Sequence, residues 1–297
     1  MMAQQQNTGP NTPRAATHQD TPSERLDARR GDPECMIGLP GGRYTGVSGP
    51  LWFGLGVALM AISMLVLAPF PDSYLHQMMW RCWTNWAVVL FTGWCAGILV
   101  AKAIKTGIQA RALRAVDLVP RRGDFVLSPG TAGEVIRRMR AAADRPKEFL
   151  LFRRIDMALS NLGNIGEVRD VGAVFESQAD SDASSVDSSY TVVRALIWTI
   201  PIFGFIGTVD GLSRAIGDFS AVMKSDESGG SALKENLQKV TDGLSTAFET
   251  TLVALLAAVA VQLLTTWVYK REETLLDELT DYTNEHVLSR LKLTDWQ

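Results

Sequence analysis

The sequence contains four long apolar windows in which charged residues are almost absent. The first, Leu51 to Phe70, reads LWFGLGVALMAISMLVLAPF and spans about 20 residues without a charge, which matches the hydrocarbon thickness of a bilayer. The second, Trp83 to Ala101, is followed by Lys102 and Lys105. These windows predict a transmembrane hairpin, with helices over 51–70 and 83–104. A hairpin buried inside a soluble protein is the alternative.

The third and fourth windows predict two further spans. The third is long enough to cross a bilayer only if it continues beyond Asp210, and it predicts a helix over 193–212. The fourth predicts a helix over 244–269 and contains one carboxylate, Glu249. The expected fold class is therefore an all-α membrane protein with four transmembrane helices and a helical cytoplasmic domain.

The remaining segments divide the chain into polar regions. Residues 1–50 carry almost no large apolar side chains and are predicted to be a mostly disordered tail. Residues 105–192 predict a cytoplasmic helical domain, because apolar residues recur there at helical spacing. Within it, the polar run 176–190 is interpreted as a polar helix or linker, or else as a mobile element. Residues 270–297 predict a helical cytoplasmic tail.

Composition excludes several function classes. A net charge of −3 argues against nucleic acid as a partner. The sequence has no glycine-rich phosphate loop with its lysine, no HExxH motif and no CxxC motif, and its histidines and three cysteines are scattered. No nucleophile, base or metal cluster is visible, so an enzyme is not expected, nor is a bound cofactor.

The distribution of basic residues predicts the orientation. Segments 1–50, 102–192 and 270–297 hold nearly all the lysines and arginines, whereas the joining segments 71–82 and 213–245 hold few. Positively charged segments stay on the cytoplasmic side of a membrane. Both termini are therefore expected in the cytoplasm.

Small and hydroxyl residues interrupt the third and fourth windows at helical spacing. Such stripes let helices approach closely, either around a pore or in ordinary packing within one subunit. Pro201 needs neighbouring protein to tolerate its missing backbone donor. The candidate residues are Pro201, Gly204, Gly207, Thr208 and Gly211 in the third window, and Thr250, Thr251, Ala254 and Ala258 in the fourth.

Two carboxylates, Asp210 and Glu249, are expected near one membrane face. A carboxylate beside hydrocarbon is a functional candidate, here for ion access, although each could instead mark a helix end in water. Deeper in the spans there are hydroxyls but no fixed charge. If an ion crosses here, the acid that carries a proton must come from another chain.

The segments WTIPIFGFIGTVDGL and GLSTAFETTLVALLAAV resemble the MotA/TolQ/ExbB proton channel family. The resemblance covers roughly 193–268. It implies a homo-oligomeric ring, usually a pentamer, around a single-span partner of the MotB/TolR/ExbD type that carries a membrane aspartate. Thr208 and Thr251 match the pore-facing threonines of the family.

The resemblance further implies a subunit of the bacterial inner membrane that couples flow of H⁺ or Na⁺ to mechanical work. Asp210 and Glu249 depart from the commonest family pattern, so ion access through them is a separate hypothesis. The alternative is a non-conducting membrane scaffold that tethers a partner.

Overall fold

A computed structural model describes residues 26–27, 31–36, 44–115, 129–160, 168–224 and 230–291. Within these residues every named element is helical, and an isolated β-bridge joins Leu26 to Ala143. Four of the helices are long and apolar enough to cross a membrane. The predicted all-α class with four spanning helices is confirmed.

Nine α-helices follow one another along the described chain. Short 3₁₀ turns lie at Pro146–Glu148 and Leu288–Arg290, and a π-helical turn lies at Thr283–Val287. The α-helices are α1 Pro33–Met36, α2 Gly49–Leu67, α3 Tyr74–Arg81, α4 Trp83–Ala115, α5 Pro129–Ala142, α6 Leu150–Ser160, α7 Val168–Ser189, α8 Thr191–Lys224 and α9 Gly230–Tyr282.

Polar contacts mark two ends of the spanning region. At one end, Lys102 of α4 lies against Glu272 of α9, with Nζ 3.0 Å from Oε1, and its ammonium lies 4.3 Å from the ring centre of Tyr190. At the other end, Arg81, the last residue of α3, meets Glu249 of α9, and Cys82, between α3 and α4, meets Asp210 of α8. We call these the Lys102 end and the Asp210 end.

The distance between the two ends matches a bilayer. At 1.5 Å per residue, α4 covers about 29 Å from Trp83 to Lys102, and α8 covers about 29 Å from Thr191 to Asp210. The segment of α9 from Glu249 to Glu272 covers about 35 Å. Because a hydrocarbon core is about 30 Å thick, the apolar segments of these three helices each fit one membrane crossing.

The membrane core is formed by three helices, with α2 on the outside of α4. Buried residues of α4, α8 and α9, together with Trp52 of α2, make one apolar cluster. Close packing of α2 depends on Gly56, where an added Cβ would lie 2.8 Å from the carbonyl oxygen of Leu90. Most of the remaining α2 surface is apolar and exposed, as expected of a helix that faces lipid.

A second apolar core lies beyond the Lys102 end. It is made by α5, α6 and the start of α7, which pack on the ends of α4 and α9 and on the residues that follow α9. Phe152 and Ile155 of α6 and Leu279 of α9 are almost completely buried there. Because α4 and α9 contribute to both cores, the helical domain is built directly on two of the spanning helices.

Part of the segment 1–50, which was predicted to be a mostly disordered tail, is ordered in the structure, while residues 1–25, 28–30 and 37–43 lie outside the described residues. Residues 31–36 and 44–50 pack on α4, and the carboxylate of Glu34 is buried. Lys105 lies 2.5 Å from Glu34, and the backbone and hydroxyl of Ser48 donate to the same carboxylate at 2.7 and 2.8 Å. The composition argument missed this because the segment is held by a buried ion pair rather than by apolar side chains.

The helices also extend beyond the predicted spans. Outside the Asp210 end, α8 continues to Lys224 and α9 begins at Gly230, so much of the joining segment 213–245 is helical. The polar run 176–190 is helical in α7, where Asp182 is buried beside Arg154 at 2.8 Å.

Candidate functional site

Thr208 of α8 and Thr251 of α9 meet across the interface of the two helices. Their side-chain oxygens are hydrogen-bonded to each other. The hydroxyl oxygen of Thr208 also lies 3.1 Å from the backbone oxygen of Ala247, and that of Thr251 lies 3.3 Å from that of Gly204. Because each hydroxyl has one proton, one threonine donates to the other, and the second donates to a backbone carbonyl. The pair therefore bridges α8 and α9 through hydroxyls and carbonyl oxygens, in a region where apolar side chains dominate.

The threonine pair lies close to the Asp210 end. Thr208 precedes Asp210 by two residues and Thr251 follows Glu249 by two residues, so the hydroxyls lie about 3 Å inside the carboxylates along the helix axes. Both threonines are half-buried. The sequence predicted that these hydroxyls lie deep in the membrane. In the structure, the hydroxyls of Thr208 and Thr251 lie near the Asp210 end of the spanning region instead.

The three glycines of the third window face helices of the same chain. A Cβ at Gly204 would lie 2.6 Å from the Cβ of Ala254, and one at Gly211 would lie 2.8 Å from the carbonyl oxygen of Gly243. A Cβ at Gly207 would lie 2.6 Å from the hydroxyl of Thr84 in α4. These glycines therefore allow close packing of α8 on α9 and α4. This agrees with the interpretation of the small residues as sites of ordinary helix packing within one subunit.

Several candidates of the fourth window are enclosed within the subunit. Thr250 is 1% exposed and donates its hydroxyl to Ala247 at 3.0 Å, while Ala254 and Ala258 are also buried. A side chain enclosed by helices of its own chain has no surface to give to a central pore. We therefore restrict the pore-lining hypothesis for side chains to Thr208 and Thr251.

An exposed apolar face adjoins the threonine pair. Residues three or four positions apart share a helix face, and on one side of the pair these neighbours are exposed, namely Phe205 and Leu212 on α8 and Phe248 and Leu255 on α9. The neighbours on the other side, Gly204, Gly211, Ala247 and Ala254, are buried. The hydroxyl pair thus lies at the boundary between the closed α8–α9 interface and this face. A partner helix laid on this face would reach the hydroxyls.

Pro201 lies inside α8 without ending the helix. The helix continues from Thr191 to Lys224 across the proline. Because proline has no backbone N–H, the carbonyl of Ile197 loses its usual intrahelical donor. Pro201 is half-buried and takes no part in the hydrogen bonds of the threonine pair.

The two access carboxylates are each paired at the Asp210 end. Asp210 accepts a hydrogen bond from Arg214 at 2.7 Å, one turn along α8, and one from the thiol of Cys82 at 3.8 Å. Glu249 lies 3.4 Å from Arg81 and accepts hydrogen bonds from the hydroxyls of Tyr74 at 2.9 Å and Ser245 at 3.0 Å. The hydrogen bond to Glu249, together with its charge, raises the pKa of Tyr74 above its ordinary value.

Sequence reasoning missed the residues that hold these carboxylates. Tyr74, Arg81 and Cys82 belong to the short segment between the first two spans. An arginine immediately before an apolar window was a visible signal, but its partner lies 168 residues further along the chain. Only the folded chain brings Arg81 to Glu249.

A buried ion pair at the Lys102 end was also missed. The side chains of Lys102 and Glu272 are each 1% exposed, and Nζ lies 3.0 Å from both carboxylate oxygens. Thr106 donates to Glu272 at 3.4 Å. The sequence marked Lys102 only as the end of a span, whereas the structure makes it an internal link between α4 and α9.

The fold and this geometry define a class: a four-span α-helical membrane protein whose last two spanning helices share a hydroxyl bridge. Residues 146–281 match the family model described as the MotA/TolQ/ExbB proton channel family. This segment, which includes α6 to α9 up to Asp281, is therefore a domain of that family. No curated protein and no solved structure matches the chain.

Proposed function

We propose that this chain is the ring-forming subunit of an ion channel that converts an ion gradient into mechanical work. The ring, a homo-oligomer with five copies as our working number, encloses a single-span partner of the MotB/TolR/ExbD type. The family match over residues 146–281 supports the channel class. The observation that carries the proposal is the hydroxyl bridge of Thr208 and Thr251 at the border of an exposed apolar face.

The partner supplies the group that titrates. In the described spans, the hydroxyls of Thr208 and Thr251 offer oxygen ligands and hydrogen-bond exchange, but a threonine cannot hold a proton near neutral pH. A membrane aspartate of the partner, laid against the exposed face of α8 and α9, would take up the ion and release it beside the hydroxyls. The transported ion is H⁺ or Na⁺, and no cofactor is needed.

The energy available fits mechanical work. One elementary charge that moves through 100 mV releases about 2.3 kcal/mol. Several ions per event therefore supply enough free energy for a conformational step in a partner. A path lined by hydroxyls and apolar side chains favours such movement, because a permanent charge at the path would bind the ion too tightly to release it.

Replacing either threonine by valine tests the proposal. Valine keeps the shape and removes the hydroxyl, so ion flux through the complex with its partner is expected to fall at least tenfold for Thr208→Val or Thr251→Val. Interhelical hydrogen bonds in membranes contribute only about 0.6 kcal/mol on average, so assembly is expected to persist. The measurement is uptake of H⁺ or Na⁺ by vesicles that contain the complex.

A third threonine serves as the matched control. Thr266 of α9 is exposed and donates to the carbonyl of Gln262 at 3.0 Å, in the same intrahelical manner. Thr266→Val is expected to leave flux unchanged. Wild-type flux in both Thr208→Val and Thr251→Val, with the assembled complex demonstrated by its mass, would contradict the proposed role of the pair.

We propose further that Asp210 and Glu249 give ions access to the threonine pair. Their positions about 3 Å outside the hydroxyls along the helices support this role. Replacing both by their amides is expected to lower flux and to alter its dependence on pH. If the double variant kept the wild-type rate and the wild-type pH profile, the carboxylates would be structural ion-pair partners only.

The alternative is a non-conducting scaffold, and one observation favours it. The hydroxyls of Thr208 and Thr251 already have acceptors within the subunit, namely each other and the carbonyls of Gly204 and Ala247. Such self-contained bonding also suits simple helix packing. The same vesicle assay separates the two functions, because a scaffold bound to its partner would show no flux above that of empty vesicles.

A further inference from the structure

A basic groove lies between α4 and α9, beyond the Lys102 end. Its volume is about 530 Å³, and one of its walls is formed by small residues of α4, including Gly107. A Cβ built at Gly107 meets no other atom within 4 Å. The groove is therefore open space beside α4, left unfilled by the side chains that surround it.

The groove is strongly positive. Arg111 and Arg114 of α4 and Lys270 and Arg271 of α9 line it, against a single acidic residue, Glu278. Arg114 lies 3.6 Å from Glu278, so this pair offsets one of the four basic charges and the lining keeps a net charge of +3. Lys270 pairs with Glu273, which does not line the groove. An anion that enters the groove would meet several guanidinium and ammonium groups at once.

The groove begins where the apolar part of the spans ends. Trp267 lines its membrane side, and the guanidinium of Arg271 lies 4.5 Å from the centre of the indole ring. Tryptophan at this level is typical of the membrane–water boundary. On the membrane side of the groove, Val100 and Ile104 of α4 and Leu263 of α9 are exposed, so an apolar surface continues directly into a basic one.

We propose that this groove binds the headgroup of an anionic phospholipid, with the acyl chains along the exposed apolar residues above it. Two features together select a lipid over a free anion: the positive charge at the level of the headgroups, and the uninterrupted apolar surface toward the bilayer centre. Basic pockets between spanning helices are suited to such headgroups. The inference is independent of whether the chain conducts ions.

The test uses the full chain in vesicles of phosphatidylcholine and phosphatidylglycerol in equal parts. After gentle transfer to detergent, native mass spectrometry counts the phosphatidylglycerol retained per subunit. Each basic residue near an anionic lipid contributes a factor of about 5 in affinity. The variant Arg111→Gln/Arg271→Gln is therefore expected to bind phosphatidylglycerol about 25-fold more weakly than the wild type.

A charge-matched control and a charge-neutral variant make the result specific. Arg137 and Arg140 of α5 are exposed and do not line the groove, so Arg137→Gln/Arg140→Gln removes the same charge and is expected to retain lipid as the wild type does. Gly107→Phe keeps every charge but occupies the groove, and it is expected to lose lipid.

Three outcomes would overturn the proposal. One is equal phosphatidylglycerol retention in the wild type and in both groove variants. Another is the same loss in the α5 control, which would indicate a general surface charge effect. The third is release of the lipid by millimolar inorganic phosphate, which would identify a site for free phosphate. Thermal unfolding of each variant in detergent verifies that the compared chains are folded.

Discussion

Gly207 of α8 lies where three spanning helices meet. A side chain there would need to fit against Thr84 of α4 and Thr250 of α9, whose nearest atoms lie 2.6 and 2.7 Å from the position of a Cβ. The contacting atoms are Cβ and Oγ1 atoms, which lie close to the backbones of their own helices. The side chains of Thr84 and Thr250 therefore have little room to move away from an added Cβ. The absence of a side chain at position 207 sets how closely α8 approaches its neighbours.

We predict that Gly207→Ala destabilises the chain. The added methyl forces α8 away from α4 and α9, at a cost of about 1–3 kcal/mol. Gly217 of the same helix is the control, because a Cβ there meets nothing within 4 Å. Gly217→Ala is expected to stabilise by up to about 1 kcal/mol through helix propensity. Thermal unfolding of both variants in detergent measures the difference, and equal melting temperatures would contradict the packing argument.

At the scale of elements, the link between α4 and α9 depends on a buried charge pair. Lys102 and Glu272 are enclosed together, and the ring of Tyr190 covers the ammonium. Taking two charges out of water is costly, and their mutual attraction offsets that cost only while both partners are present. The pair therefore fixes the register of the two helices more than it adds to stability.

We predict that removing one partner of this pair costs far more than removing both. Lys102→Met leaves a buried carboxylate and is expected to destabilise by about 3–5 kcal/mol, whereas Lys102→Met/Glu272→Leu is expected to recover most of that loss. Lys270→Met breaks an exposed pair with Glu273 and is the control, with an effect of at most about 1 kcal/mol. Unfolding midpoints of the four chains test this, and a double variant that is no more stable than Lys102→Met would refute it.

On the scale of the whole molecule, α9 connects every part of the structure. Its 53 residues correspond to about 80 Å of helix. One part pairs with α8 beyond the Asp210 end, the middle joins the membrane core, and the last part enters the apolar core of the helical domain. One continuous helix therefore links the two ends of the molecule.

We predict that the two ends of the molecule lie on opposite sides of the membrane. In a Cys35→Ser background, Lys234→Cys places a thiol on the hairpin of α8 and α9, and Arg137→Cys places one on α5. A membrane-impermeant maleimide is expected to label position 234 in intact cells and position 137 only after permeabilisation. Cys82 and Cys95 are buried, so background labelling is low. The reverse pattern would invert the proposed topology.

The sequence was sufficient to predict the four apolar helices and three of the small residues at which α8 packs on other helices. Hydropathy located all four helices, and the small-residue spacing identified Gly204, Gly207 and Gly211, each of which proves to lie against another helix. Spacing could not distinguish packing inside one subunit from lining of a pore, because both require small residues on one helix face. It also could not detect that Glu34 orders part of the first 50 residues.

The sequence alone determined the number of apolar helices and the helical class. In lipid, the backbone N–H and C=O groups of a crossing segment must be hydrogen-bonded within that segment, and this requirement applies to each segment separately. Tertiary structure decided which side chains are enclosed and which remain exposed. Lys102 meets Glu272 across 170 positions, and Arg81 meets Glu249 across 168. Pairings at such separations depend on the mutual packing of α4 and α9, which no local pattern of residues specifies.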